Sequence, residues 1–137
     1  MHLKVVTPGG VVSESEIRRV TAPTHTGEIT VLPHHVPLVS LLKAGELRVQ
    51  DEDGTSRLCA VSHGLLEVRN SNEVVILADS ALPAESIDLD RARRARDRAA
   101  QLLEEKHRLS DVEFARFQSI LDKELARVNV ALKHSGR

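Results

Sequence analysis

Aromatic side chains are nearly missing from this sequence, whose 137 residues include two Phe and no Tyr or Trp. Its core must therefore be built from Val, Leu, Ile and Ala, and the stacking platforms of single-strand nucleic-acid binders are excluded. Cysteine is as scarce: Cys59 stands alone, so no internal disulfide can form. That fits a reducing compartment, and Cys59, flanked by Leu58 and Ala60, is expected as a packed core thiol. Charge of one sign does not predominate either, the formal net charge being -1, which removes a general signal for polyanion binding. No apolar run approaches the ~20 residues of a membrane helix, and no charged-then-apolar leader opens the sequence. The expectation is a soluble protein that meets a membrane only through an embedded partner.

What is present falls into two parts. Residues 1–83 carry 7 Lys+Arg against 10 Asp+Glu and read as β, whereas residues 84–137 carry 12 against 10 and read as helix. His2 to Thr7 is a strand stopped by Pro8-Gly9-Gly10. Val11 to Ser13 is a short return strand, and Glu16 to Ala22 a third, ended by Pro23. Gly27 to Val49 then organises the β part. In it, Pro33 and Pro37 bracket His34, His35 and Val36 as a stiff, exposed loop, since proline fixes its own φ and extends the residue before it. Leu38 to Leu42 is apolar, and Lys43-Ala44-Gly45 is a turn. Gly45 to Asp51 alternates Leu47 and Val49 with Glu46, Arg48 and Gln50, the period of a half-buried strand. Asp53-Gly54 is a hairpin signal. Arg57 to Val61, Leu65 to Val68 and the apolar run Val74 to Ala78 complete about nine or ten short strands, the pattern of a sandwich or barrel.

Composition shifts at Ala81 to Glu85 towards Ala, Leu, Arg and Glu, which are good helix formers. Asp88 is a natural N-cap. Ala92, Ala95, Ala99 and Leu102 form a narrow stripe suited to close helix packing. Ser110-Asp111-Val112-Glu113 is a capping box that opens a second helix, along which Phe114, Phe117, Leu121, Leu125, Val128 and Leu132 keep helical spacing. The fold class is α+β: an N-terminal β-sandwich of about ten strands over residues 1–83, then an antiparallel hairpin of two helices over 84–137, roughly 18 and 22 residues long. Most helix stability comes from tertiary packing, so a two-helix hairpin with an alanine seam should depend on docking to the β domain, a partner or a ligand.

Neither catalysis nor metal binding is written into the chain. His34 and His35 are adjacent on an extended loop and point apart, with no ligand at matching spacing. Ser62, His63 and Asp79 do not form a nucleophile elbow. The arginines of the first helix, taken alone, read as a solvated face.

Several segments carry a resemblance to a known family. Val5-Val6-Thr7-Pro8-Gly9-Gly10, Gly27-Glu28, Leu32-Pro33, His35-Val36-Pro37-Leu38, Lys43-Ala44-Gly45, His63 to Val68 and Val75 to Ala81 follow, in order and spacing, the pattern of the epsilon subunit of bacterial F-type ATP synthases. The chloroplast epsilon and mitochondrial delta subunits are related. The resemblance covers essentially the whole chain. Thr30, His34 and His63 stand where that family usually has glycine, so each alters a turn.

The resemblance implies a non-catalytic rotor subunit at the foot of the central stalk, with the gamma subunit and the c-ring as partners. Glu28 and His35 fall on its c-ring contact positions. It implies a mobile hairpin that permits ATP hydrolysis when folded on the sandwich and blocks it when extended into the alpha/beta hexamer. It also implies a place on the cytoplasmic face of the bacterial plasma membrane, as a peripheral protein. Ile87-Asp88-Leu89-Asp90-Arg91-Ala92 resembles the I/L-D-x-x-R-A segment that binds a regulatory ATP in some members. Asp88, Arg91 and Arg98, with Arg127 from the second helix, are then the ATP-binding residues, and no resident cofactor or metal is implied. An upstream acidic residue of that site corresponds to Leu82 or to Glu85. A stand-alone nucleotide-sensing module is the alternative reading, which association with a stalk and c-ring separates from the first.

Overall fold

The computed structural model describes residues 1–136. Nine strands come first: β1 His2–Thr7, β2 Gly10–Thr24, β3 Gly27–Val31, β4 Leu38–Leu42, β5 Gly45–Asp51, β6 Ser56–Val61, β7 Gly64–Arg69, β8 Glu73–Ala78 and β9 Ala81–Pro83. Helices α1, Leu89–Glu104, and α2, Asp111–Ser135, follow. The strands run in the order β1-β8-β7-β4-β2-β5-β6-β9, with β3 on β2, and β2 also pairs β1. All pairs are antiparallel except β1 with β8. Leu3, Ile17, Val20, Leu47, Leu66 and Ile76 fill the interior, each 1% exposed or less. The core is thus aliphatic, as the scarcity of aromatics dictates. Cys59 is half-buried, packs against this core, and burial pushes its thiol up to about 12.

Two strand boundaries differ from the sequence pattern. Val11–Ser13 and Glu16–Ala22 form one 15-residue strand, β2. Its first half pairs with β1 and its second with β3 and β5, so it passes between layers without a break. Ser13 and Ser15 are half-buried while Glu14 and Glu16 are exposed, which keeps the period of two through a polar stretch that reads as a turn. Pro23 does not end the strand; its carbonyl accepts the Lys43 amide at 3.1 Å. β9 was not foreseen. It adds to β6, with Ala60 opposite Leu82.

The Pro33–Pro37 loop is exposed except for half-buried His35. His34 has φ of 64° and donates its amide to Asn72 Oδ1 at 2.8 Å, which ties the loop to the β7–β8 turn. A left-handed backbone at this position explains why glycine suits it. Gly64 is held more tightly, because a Cβ there would overlap the Leu77 carbonyl and the Ala78 Cα of β8.

Asp88 caps α1 by accepting the Arg91 amide at 3.1 Å. Ser110 and Glu113 form both bonds of the capping box at the start of α2. The helices are 16 and 25 residues long. Ala92 and Ala99 are buried in the seam between them. The long apolar stripe of α2 is buried only in part: Val128 is buried and Phe117 and Leu121 are half-buried, but Phe114, Leu125 and Leu132 stay at least 38% exposed. Ala126, Val130 and Ala131, outside that stripe, are buried as well, because α2 faces both α1 and the strands.

The hairpin is docked on the sandwich through α2. Val130 is fully buried in a small cluster with Leu58 and Ala60 of β6, Ala84 and Ile87. Lys133 Nζ reaches Glu46 of β5 at 2.9 and 3.1 Å. His63 Nε2 lies 3.9 Å from Asp122, and the His63 ring stacks on that of His25 at 6.2 Å between centroids.

Three outcomes follow from this packing. Gly64→Ala should lower the unfolding free energy by about 3 kcal/mol through backbone overlap; an unchanged urea midpoint would contradict the tight β7–β8 approach. Val130→Asp places an unpaired carboxylate in the docking seam, which costs on the order of 2 kcal/mol or more. Limited proteolysis should then cut the helices while the strands stay intact, and a hairpin as resistant as wild type would deny Val130 its role. The third concerns half-buried His2, whose Nε2 and Nδ1 lie 2.8 and 2.7 Å from Glu14 and Glu16. Hydrogen bonds to Glu14 and then to Glu16 raise its ring above the ordinary 6.5. With a raised folded value, the stabilisation is complete below pH 6.5 and is lost as pH rises through that value. An NMR titration should place the His2 midpoint above 6.5 and return it towards 6.5 in the E14Q/E16Q variant; a midpoint that the variant leaves in place would refute the contact.

Candidate functional site

A groove of about 320 Å³ opens where the start of α1, the middle of α2 and β9 meet. Three of the four expected nucleotide-binding residues line it: Asp88, Arg91 and Arg127. Asp88 is engaged as the cap of α1, so its carboxylate sits against the positive end of that helix. Arg91 is exposed, and among the described residues its guanidinium has no ion-pair partner. Arg127 is more enclosed. Its Nη1 donates to Glu124 Oε1 at 3.0 Å and its Nη2 to Ser80 Oγ at 3.3 Å, while its Nε is buried without a partner. Arg98, two turns beyond Arg91, lies outside the groove on the exposed surface.

Lys123 and Glu124 also line the groove, and sequence reasoning passed over both. The signal was present. An antiparallel hairpin turning near residues 106–110 brings Arg91 opposite roughly residue 125 of α2, so charges there face it. Of the two residues at the upstream acidic position, Leu82 lines the groove, while Glu85 lines a separate small cavity beside Cys59. The groove therefore holds three cations, Arg91, Lys123 and Arg127, against the carboxylates of Asp88 and Glu124. Guanidinium forks and an ammonium converging on a helix N-terminus are chemistry for phosphate oxygens.

Glu28 and His35 are not brought into one pocket. Glu28 is the second residue of β3, and His35 lies in the loop beyond the other end of that strand. About 10 Å separates Glu28 from Val31 along the strand alone. Arg48 holds Glu28 by two bonds, Nη2–Oε1 at 2.8 Å and Nη1–Oε2 at 3.2 Å. That hydrogen bonding draws the Glu28 carboxyl below its ordinary value. His35 Nδ1 donates to the Val36 carbonyl at 2.7 Å. Leu32 and Val36, on either side of His35, are 52% and 71% exposed.

A second apolar surface crosses the sheet. Leu41, Leu65, Leu77 and Val6 stand side by side on β4, β7, β8 and β1. Leu41 and Leu77 are 60% and 43% exposed, and neighbouring Val39 is 62% exposed. Contiguous exposed apolar rows of this kind mark contact surfaces. Among the described residues no group of three or more His, Cys, Asp or Glu is placed to hold a metal.

Comparisons with known proteins cover nearly the whole chain. The family described as ATP synthase, Delta/Epsilon chain, beta-sandwich domain matches residues 1–84. The one described as ATP synthase, Delta/Epsilon chain, long alpha-helix domain matches residues 85–131. The chain is 44% identical to the ATP synthase epsilon chain of Desulforamulus reducens over 130 residues, which is 95% of this chain and 96% of that one. It is 41% identical to the epsilon chain of an Exiguobacterium species over 130 residues, 95% of this chain and 94% of that one. In three dimensions it is similar to a chain in the Euglena gracilis mitochondrial ATP synthase assembly of OSCP, F1 and c-ring. That likeness has a TM-score of 0.77 at 21% identity, covers 98% of this chain and 80% of that one, and shows the shared fold. With both of its parts matched in sequence and order, the chain belongs to the delta/epsilon family of ATP synthase subunits and is an epsilon chain.

Proposed function

We infer that this epsilon chain is a non-catalytic rotor subunit of the central stalk, coupling proton flow through a c-ring to ATP synthesis. Its hairpin restrains ATP hydrolysis when it leaves the sandwich and extends into the alpha/beta hexamer. The observation that carries this reading is the docked hairpin with a cationic groove along its edge. The docking cluster is small, Val130 with Leu58, Ala60, Ala84 and Ile87: burying Val130 is worth ~2 kcal/mol, and surface ion pairs such as Lys133–Glu46 add about 0–1 kcal/mol each. A contact of that size is stable enough to form and weak enough to exchange for another.

The remaining surfaces take partners in keeping with this. The apolar row Leu41, Leu65, Leu77 and Val6 is suited to the gamma subunit, and the Leu32–Val36 loop with His35 and Glu28 to the polar loops of the c-ring. Among the described residues no helix is long and apolar enough to cross a membrane. On this reading the chain is a peripheral component at the cytoplasmic face of a bacterial plasma membrane, attached through these partners. The groove, through Asp88, Arg91 and Arg127, takes a regulatory ATP that favours the docked hairpin. A nucleotide at a hundred times its Kd adds about 2.7 kcal/mol to the state that binds it, comparable with the burial of Val130. A stand-alone sensor has weaker support, because a sensor has no use for the apolar row.

Two experiments check this. Removing residues 84–137 should raise ATP hydrolysis by the assembled synthase, and an unchanged rate would contradict the restraint. Calorimetric titration of Mg-ATP into the isolated chain should show binding that Arg91→Ala weakens by about tenfold, or ~1.4 kcal/mol. Absence of binding at millimolar ATP would remove the nucleotide latch and leave hairpin control to gamma and the hexamer.

A further inference from the structure

Glu124 is 6% exposed and is, among the described residues, the one buried carboxylate. A buried charge persists only when paired, and its partner is Arg127 Nη1, at 3.0 Å and one helical turn along α2. Arg127 spends its other terminal nitrogen on Ser80 Oγ of the β8–β9 turn. The groove is therefore supplied with an anion from its own wall. Glu124 gives Arg127 what a ligand phosphate would give it, and the Ser80 bond joins this pair to the sandwich.

We propose that Glu124 sets the nucleotide affinity of the groove, as an internal carboxylate that competes with ligand phosphates for Arg127. This rests on the reading of the groove as a nucleotide site. The consequence is electrostatic. A polyphosphate that engages Arg91 and Lys123 approaches a carboxylate that low exposure leaves poorly screened, and takes Arg127 only by displacing it. Glu124 so raises the nucleotide concentration at which the groove fills. In its absence the hairpin would be latched at lower nucleotide. It is a positioning residue for Arg127, and its effect should grow with the number of ligand phosphates.

The test is calorimetric titration of the full chain with ATP and with AMP, for wild type, Glu124→Gln and Glu124→Asp. Glutamine keeps the shape and removes the charge; aspartate keeps the charge and alters the packing. Glu124→Gln should bind ATP about tenfold more tightly than wild type, ~1.4 kcal/mol, with a smaller gain for AMP, and Glu124→Asp should stay near wild type. A wild type too weak to measure beside a Glu124→Gln that binds would also support the assignment. Equal ATP affinity in wild type and Glu124→Gln would overturn it while leaving the nucleotide site standing, as would equal gains for ATP and AMP. Weaker binding in Glu124→Gln would overturn it by making the carboxylate a contributor, for instance to a ligand-borne Mg²⁺. Failure of both proteins to bind ATP at millimolar concentration would remove the site itself and this assignment with it.

Discussion

The arrangement of the two parts depends on one interface, that of α2 with the strands, where Val130 packs on Leu58 and Ala60 of β6 and Lys133 reaches Glu46 of β5. The first helix touches the rest of the fold chiefly through the second, so the whole hairpin is held to the sandwich along α2. The groove exists only while that contact is made, because its walls come from α1, from α2 and from Leu82 of β9. Any ligand that needs all three walls binds the docked state and not the undocked one. By linkage, such a ligand stabilises docking by its differential affinity and by no more than that. The narrowness of the seam is what makes this effective. A broad aliphatic interface would outweigh a small ligand, whereas the small cluster of Leu58, Ala60, Ala84 and Val130 does not.

Charge extends the contact across the sandwich. Lys133 of α2 meets Glu46 on β5, Glu46 meets Arg48 at 3.2 Å, and Arg48 holds Glu28 on β3. These pairs are exposed and individually weak. They nevertheless place a hairpin residue at one end of a chain whose other end is Glu28. Glu46 is the most enclosed member at 19% exposure and serves both Lys133 and Arg48. Undocking would leave it to Arg48 alone.

Most of the β architecture was legible from alternation and turn chemistry. Leu47 and Val49 marked β5, Asp53-Gly54 marked its hairpin, and the apolar run from Val74 marked β8. The long β2 was not legible, since Ser13 to Glu16 has the composition of a turn and becomes a strand only because β1 lies beside it. β9 was hidden for a like reason: three residues carry no period of their own and are extended by pairing with β6. In the hairpin, both caps were readable from Asp88 and from Ser110 with Glu113, because capping is local. Which face of α2 is buried was not, as helical spacing ranks Leu125 and Leu132 above Ala126 and Val130. Tertiary contact reverses that order. At the groove, Asp88 and Arg91 were readable from a motif and Arg127 only from a looser likeness on the second helix, while Arg98, two turns from Arg91, fell outside. Lys123 and Glu124 belong to no motif and enter only through the hairpin register.

The central claim is that the hairpin is a separable unit resting on an independently stable sandwich. Native-state hydrogen exchange on the isolated chain tests it most directly. The account predicts that amides of α1 and α2 exchange through an opening of lower free energy than those of β2, β7 and β8, with the two helices opening together. Protection in the helices equal to that of the strands would mean that hairpin and sandwich unfold as one body, and would contradict the account.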